Sequence, residues 1–136
     1  MSSERGPSLD AGEGRDSMKT MKIGIASHEE FKARTMAIAR GEVVPRADEP
    51  KVWFPSTESF ARVLSQRNRA LLATIVETHP GSLQELAERT GRKVSNLSRT
   101  LRTMERYGFV SLHKGARGRI RPEVPFQAIS LELMLI

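Results

Sequence analysis

Apolar residues recur every third or fourth position through most of this chain and every second position in a few short runs. The changes of period divide it into elements. Met21-Lys-Ile-Gly-Ile alternates and predicts a short strand. From Ser27 to Arg40, Phe31, Met36 and Ile38 predict a helix, with Ser27 as cap, Glu29 and Glu30 in the first turn and Gly41 as the stop. The stretch from Gly41 to Pro50 holds two prolines and reads as a loop. Lys51-Val-Trp-Phe is a strand-prone run ended by Pro55. Ser56 caps a helix carrying Phe60, Val63 and Leu64, and the chain bends near Ser65. The next helix sets Ala70, Leu71, Leu72, Ile75 and Val76 on one face and stops at His79-Pro80-Gly81.

A capping-box pattern, Ser82 with Glu85, opens a short helix with Leu83, Leu86 and Ala87 inside and Gly91 at its end. A longer helix follows over residues 92–107. Its Val94, Leu97, Leu101 and Met104 are spaced to face the core, which turns Ser95, Asn96, Ser98, Arg99, Arg102 and Thr103 outward. Gly108 closes it, Phe109-Val-Ser-Leu-His alternates as a strand, Gly115-Ala-Arg-Gly118 is a turn, and Arg119-Ile-Arg leads back. Beyond Pro125, Ile129, Leu131, Leu133 and Leu135 alternate with Ser130, Glu132 and Met134, a strand with one strongly apolar face. That face needs a cover, either the N-terminal segment of the same chain or a second subunit.

Two helices about a tight break, then two strands about a Gly-rich turn, form the layout of a winged helix-turn-helix. The expected fold is therefore α+β, mainly α with a small β component. Residues 1–20, poor in apolar groups, form a disordered tail. Residues 21–55 form a strand–helix extension, 56–124 the winged module and 125–136 the terminal strand.

Charge narrows the chemistry. The chain carries +6 overall, with a pI near 10.3. Between Gln66 and Val124 twelve basic residues face five acidic ones, so the excess lies in the winged module. That localisation points to double-stranded DNA. Short hydroxyl and amide groups beside guanidinium groups suit base edges and phosphates in a major groove, and a basic hairpin suits phosphate or a minor groove. The expected contacts are Arg92, Lys93, Ser95, Asn96, Ser98, Arg99, Arg102 and Thr103 on the helix, with Lys114, Arg117, Arg119 and Arg121 on the hairpin.

The absence of cysteine excludes disulfides and thiol chemistry. His28, His79 and His113 are scattered, so no metal is expected. No phosphate-binding glycine motif or nucleophile elbow occurs, and neither an enzyme nor a cofactor is expected. With no apolar leader or membrane-length run, a cytoplasmic protein without a membrane partner is expected.

Phe31-Lys-Ala-Arg-Thr with Ile38-Ala-Arg-Gly-Glu, Ser95-Asn-Leu-Ser-Arg-Thr-Leu, Glu105-Arg-Tyr-Gly and Gly118-Arg-Ile-Arg-Pro-Glu-Val-Pro together carry a resemblance. Over residues 22–133 the chain resembles MarR-type winged-helix regulators and, more narrowly, small archaeal and bacterial DNA-binding proteins of this layout. The resemblance implies a transcriptional regulator that reads DNA with the helix from Arg92 to Tyr107. It also implies an alternative, an antitoxin that neutralises a partner toxin and represses its own operon. The chain differs from typical MarR proteins in lacking the long terminal helices that form their dimer. A homodimer would have to use the terminal strand or the Ser27–Arg40 helix. A general nucleic-acid binder is a further alternative, weakened by the few aromatic residues available for stacking on unpaired bases.

Overall fold

The structure, a computed structural model of the chain, describes residues 19–135. β1 (Thr20–Ile25) is the middle strand of a sheet ordered β2-β1-β5, with β2 at Val52–Phe54 and β5 at Ala128–Leu133. Both neighbours run parallel to β1. Ile23 stands opposite Val52 and Leu131, and Ile25 opposite Phe54 and Leu133. Laterally paired residues share a face of a sheet, so these apolar groups all point to one side. Helices cover that side over β1 and β2, where Ile23, Ile25 and Phe54 are buried. β5 projects beyond the cover and leaves Leu131 and Leu133 45% and 55% exposed.

On the opposite side the Trp53 ring lies so close over Gly24 that a Cβ there would overlap the indole. The strand needs glycine at this point for lack of space. α1 (His28–Ala39), which joins β1 to β2, packs Phe31 edge-on against Trp53 with ring centres 5.5 Å apart. Ser27 and Glu30 form a reciprocal capping box at its start. The following loop is tied down by Lys22–Asp48 at 3.0 Å, Arg46–Glu132 at 2.9 Å and an Arg34–Glu49 pair. The hydrogen bond from Lys22 holds the Asp48 carboxyl below the usual carboxylate range.

α2 (Thr57–Val63), α3 (Gln66–Thr78), α4 (Leu83–Thr90) and α5 (Val94–Arg106) follow, then an antiparallel hairpin of β3 (Ser111–Lys114) and β4 (Ile120–Glu123). A single core joins them to the sheet. Leu71, Leu72 and Ile75 of α3, Leu86 of α4, and Leu97, Leu101 and Met104 of α5 cluster with Ile23, Ile25 and Phe54. Each such side chain stabilises the fold by about 1.5–3 kcal/mol through removal from water. Phe54 stacks on Tyr107 at 4.8 Å and meets Phe60 edge-on at 5.5 Å, so the sheet is locked to the end of α5 by aromatic contacts.

The architecture is α+β. Several expected boundaries move. Residues 1–18 of the expected disordered tail lie outside the described residues, but its last residue, Thr20, opens β1. Lys19 is held by two bonds with Gln127: its N–H reaches the Gln127 side chain at 2.8 Å, and its carbonyl accepts the Gln127 N–H at 2.9 Å. The extension and the terminal strand, expected as separate segments, form one sheet and share the helices' core. Of the two covers expected for the terminal strand, the chain's own N-terminal segment is the one β5 pairs with. Phe109 and Val110, expected in a strand, precede β3 and are buried in the core instead. In α1 the expected inner residues stay shallow, with no residue buried and Phe31 and Met36 exposed. Among the described residues no helix is long and apolar enough to cross a membrane.

Candidate functional site

Three local devices set the direction of α5. Ser82 Oγ accepts the Glu85 N–H at 3.1 Å and starts α4. The Glu85 carboxylate returns to the Gly81 N–H at 3.2 Å, one residue before its expected target, so the box is shifted. Gly91, at φ +75°, then ends α4 in the left-handed conformation glycine adopts without steric cost, and Arg92 and Lys93 carry the chain into α5. α5 thus begins at Val94; Arg92 and Lys93, expected inside the helix, precede it.

Leu97, Leu101 and Met104, none of them accessible, anchor α5 in the core. At 3.6 residues per turn, the row farthest from that anchor is Ser95, Arg99, Arg102 and Arg106, all exposed. Ser98 lies on the hairpin flank of this row. Asn96, Thr100 and Thr103 lie on the other flank. Thr103 Oγ1 donates to the Arg99 carbonyl at 3.2 Å and accepts from the Arg106 guanidinium at 3.3 Å. Val94, expected in the core, is 40% exposed, because its place in the first turn overhangs the cleft toward the hairpin.

Two shallow clefts separate α5 from the hairpin. One, of about 390 Å³, runs from the start of α4 past Val94 and Ser98 to Arg117, Gly118 and Arg119. The other lies between Arg102, Glu105 and Arg106 on α5 and Leu112, Lys114 and Ile120 on the hairpin. Glu105 bridges them with its carboxylate, which accepts the Leu112 N–H at 3.0 Å. At the hairpin tip the Gly115 N–H reaches the Arg119 carbonyl at 2.7 Å, and Arg117 takes φ +62°. That conformation costs a non-glycine residue about 1–2 kcal/mol. The tip therefore holds a guanidinium group in a strained position beside α5.

Ser95, Ser98, Arg99, Arg102, Lys114, Arg117 and Arg119 are thereby gathered on one surface, while Lys93 stands exposed at the cap of α5 and lines neither cleft. Four expected contacts, Arg92, Asn96, Thr103 and Arg121, stand apart from that surface. Thr103 is on the far flank, bonded to the Arg99 carbonyl and Arg106. Arg92 Nε donates to Asn96 Oδ1 at 3.0 Å, which draws both side chains to the flank away from the hairpin. Arg121 alternates to the hairpin face shared with His113 and Glu123, away from Ile120 and Pro122, and lies near the end of α3. His113 and Glu123 pair there at 2.8 Å. One residue joins the surface unforeseen. Arg106 completes the outer row, and its spacing from Arg99 and Arg102 was the signal available in the sequence.

The surface offers guanidinium, ammonium and hydroxyl groups to an anionic, hydrogen-bonding partner of extended shape. Among the described residues no group of three or more His, Cys, Asp or Glu side chains is placed to hold a metal.

A family model described as HVO_A0114 matches residues 63–131, just over half of the chain. The match begins at the end of α2, takes in α3, α4, α5 and the hairpin, and ends within β5. β1, α1 and β2 lie outside it. No curated protein and no solved structure matches the chain.

Proposed function

The chain belongs to the HVO_A0114 family, and we propose that its matched half is a winged helix-turn-helix of MarR type that binds double-stranded DNA and regulates transcription. The observation that carries this reading is the exposed row Ser95, Arg99, Arg102 and Arg106 with basic hairpin residues along its flank. α4 and α5 supply the helix-turn-helix, and β3 and β4 the wing. A helix about 10–12 Å across enters a major groove about 12 Å wide. Arg99 and Arg102 then reach base edges, with Ser95 and Ser98 as shorter partners. Lys114, Arg117 and Arg119 lie against the backbone or the adjoining minor groove. The role assigned is binding in the cytoplasm, with no catalytic step and no cofactor.

The reading is tested by comparing a selected duplex site, random duplex and single strands at fixed salt. Preference for the selected duplex supports it. Equal affinity for all three would instead favour the general nucleic-acid binder.

The antitoxin reading has its own support. β1, α1 and β2 lie outside the family match, and α1 exposes Phe31 and Met36. A partner toxin docked there would cover both. In co-expression with such a toxin, Phe31→Asp should abolish neutralisation while leaving duplex affinity unchanged. Loss of both together would argue against α1 as a separate docking face.

A further inference from the structure

α3 and α4 converge beside the first turn of α5, on the flank away from the hairpin. Arg67 from the first turn of α3, Arg89 from the last turn of α4 and Arg92 from the Gly91 turn line one cleft of about 260 Å³, together with Thr74 and Thr90. Three cations share it. Among the described residues the only carboxylate paired with any of them is Glu85, which meets Arg89 at 3.5 Å across one helical turn.

Arg92 is the deepest of the three. Its Nε is used by Asn96, and its Nη2 reaches Thr100 Oγ1 at 3.5 Å. Its Nη1 is closed off from solvent and, among the described residues, has no hydrogen-bond partner. Burial and the nearby Arg67 charge both pull the Arg92 pKa down. A guanidinium that shares a cleft with another cation and has a buried donor unused lacks a counter-charge. Its planar fork matches the oxygens of phosphate, and phosphate would satisfy Arg67 and Arg92 together.

We infer that the Arg67, Arg89 and Arg92 cleft is a phosphate site, and that in the DNA complex it takes a backbone phosphate on the side of the groove opposite the wing. The second half rests on the DNA-binding reading. A helix lying in a major groove has a phosphate backbone along each side. The hairpin cations serve one side of α5, and this cleft supplies the other.

Two arms test the inference with the full chain. In the first, duplex affinity is measured against salt for the wild type, Arg67→Gln, Arg92→Gln and the double variant. Arg40→Gln, at the end of α1, serves as the control for a removed charge. One phosphate contact contributes about 0.9 to the slope of log affinity against log salt. Each single variant should lose part or all of that amount, the double variant no more than about 0.9, and Arg40→Gln nothing. Arg67 is exposed, so Arg67→Gln is expected to keep the wild-type melting temperature and to remain informative if Arg92→Gln unfolds.

In the second arm, inorganic phosphate is titrated without DNA at constant ionic strength while the Arg92 Nε–H signal is followed by NMR. The wild type should shift saturably, and Arg67→Gln should require several-fold more phosphate. Slope loss alone assigns the cleft to the backbone. Phosphate saturation alone leaves a small-anion site and overturns the duplex half. If the wild type fails to bind duplex yet saturates with phosphate, the DNA reading falls and the phosphate site stands. If neither slope nor signal responds, the inference is wrong.

Discussion

The Glu105 carboxylate accepts the Leu112 backbone N–H at 3.0 Å, so an acidic group in the last turn of α5 tethers the first strand of the hairpin. It sits in an otherwise basic cleft beside Arg102, Arg106 and Lys114. Retention of the acceptor should preserve the tether, and removal should loosen it. Glu105→Gln is expected to keep the Leu112 amide protected from hydrogen exchange, and Glu105→Ala to speed its exchange. The alanine variant should cost about 1 kcal/mol of stability. The glutamine variant should also bind duplex more tightly at low salt, since a negative charge has left the surface. Equal protection in both variants would remove Glu105 from this role.

Arg99 lies mid-row on α5. If it reads a base edge, Arg99→Ala should lose about 1–3 kcal/mol on the preferred site and less on random duplex. Competition binding at one salt concentration measures both. Equal losses would assign Arg99 to phosphate and shift base reading to Ser95, Ser98 or Arg102.

The two faces of the hairpin should behave differently. Alanine at both Arg117 and Arg119 should lower the salt slope by roughly one unit for each phosphate that the pair neutralises. Arg121→Gln, on the far face of β4, should change it less. A larger effect from Arg121 would mean that the hairpin meets DNA with its other side.

Leu131 and Leu133 stand exposed on a strand that, among the described residues, forms the edge of its sheet with its outer backbone groups unpaired. Such an edge invites pairing. A second copy added across a two-fold axis must run antiparallel. Centred on Leu131, that pairing would set Glu132 beside Ser130; centred on Glu132, it would bring two carboxylates together. The first register is the one expected. The intact chain should sediment as a dimer at tens of micromolar, and Leu131→Asp with Leu133→Asp as a monomer. A monomeric wild type would sink the dimer.

Gly24 and Trp53 test the other side of the sheet. Gly24→Val should be destabilising by about 1–3 kcal/mol through overpacking, measured by denaturant unfolding. Restored stability in the Gly24→Val, Trp53→Leu double variant would identify the indole as the obstacle.

Elements with strong local signals were legible in the sequence. Ser27, Ser56 and Ser82 each cap the helix that follows, and the spacing of Leu97, Leu101 and Met104 gave the inner face of α5. Ser65, read only as a bend, is a cap as well. Side-chain partners were less legible. Arg92 counted as an outward cation until Asn96 and the α3–α4 cleft claimed it, and Val94 fitted the core period although the first turn carries it past the core. The facing of Arg121 depends on hairpin register, which composition does not encode. The pairing of β1 with β5 was the less favoured of two covers, because strand partners distant in sequence leave no local trace.

That pairing also bears on the order in which the protein is made. Lys19 and Gln127 bond across 108 residues of chain. During translation β1 leaves the ribosome long before β5 exists, and β2 is the one neighbour it meets early. The four helices from α2 to α5 build their shared face from nearer residues and are free to consolidate first. Long-range pairing pays its loop-closure entropy before any contact rewards it. The sheet is therefore expected to close only after β5 has emerged, later than the helices. A chain truncated before Ala128 would leave the inner strand with a naked edge, and aggregation is the expected fate of that nascent form.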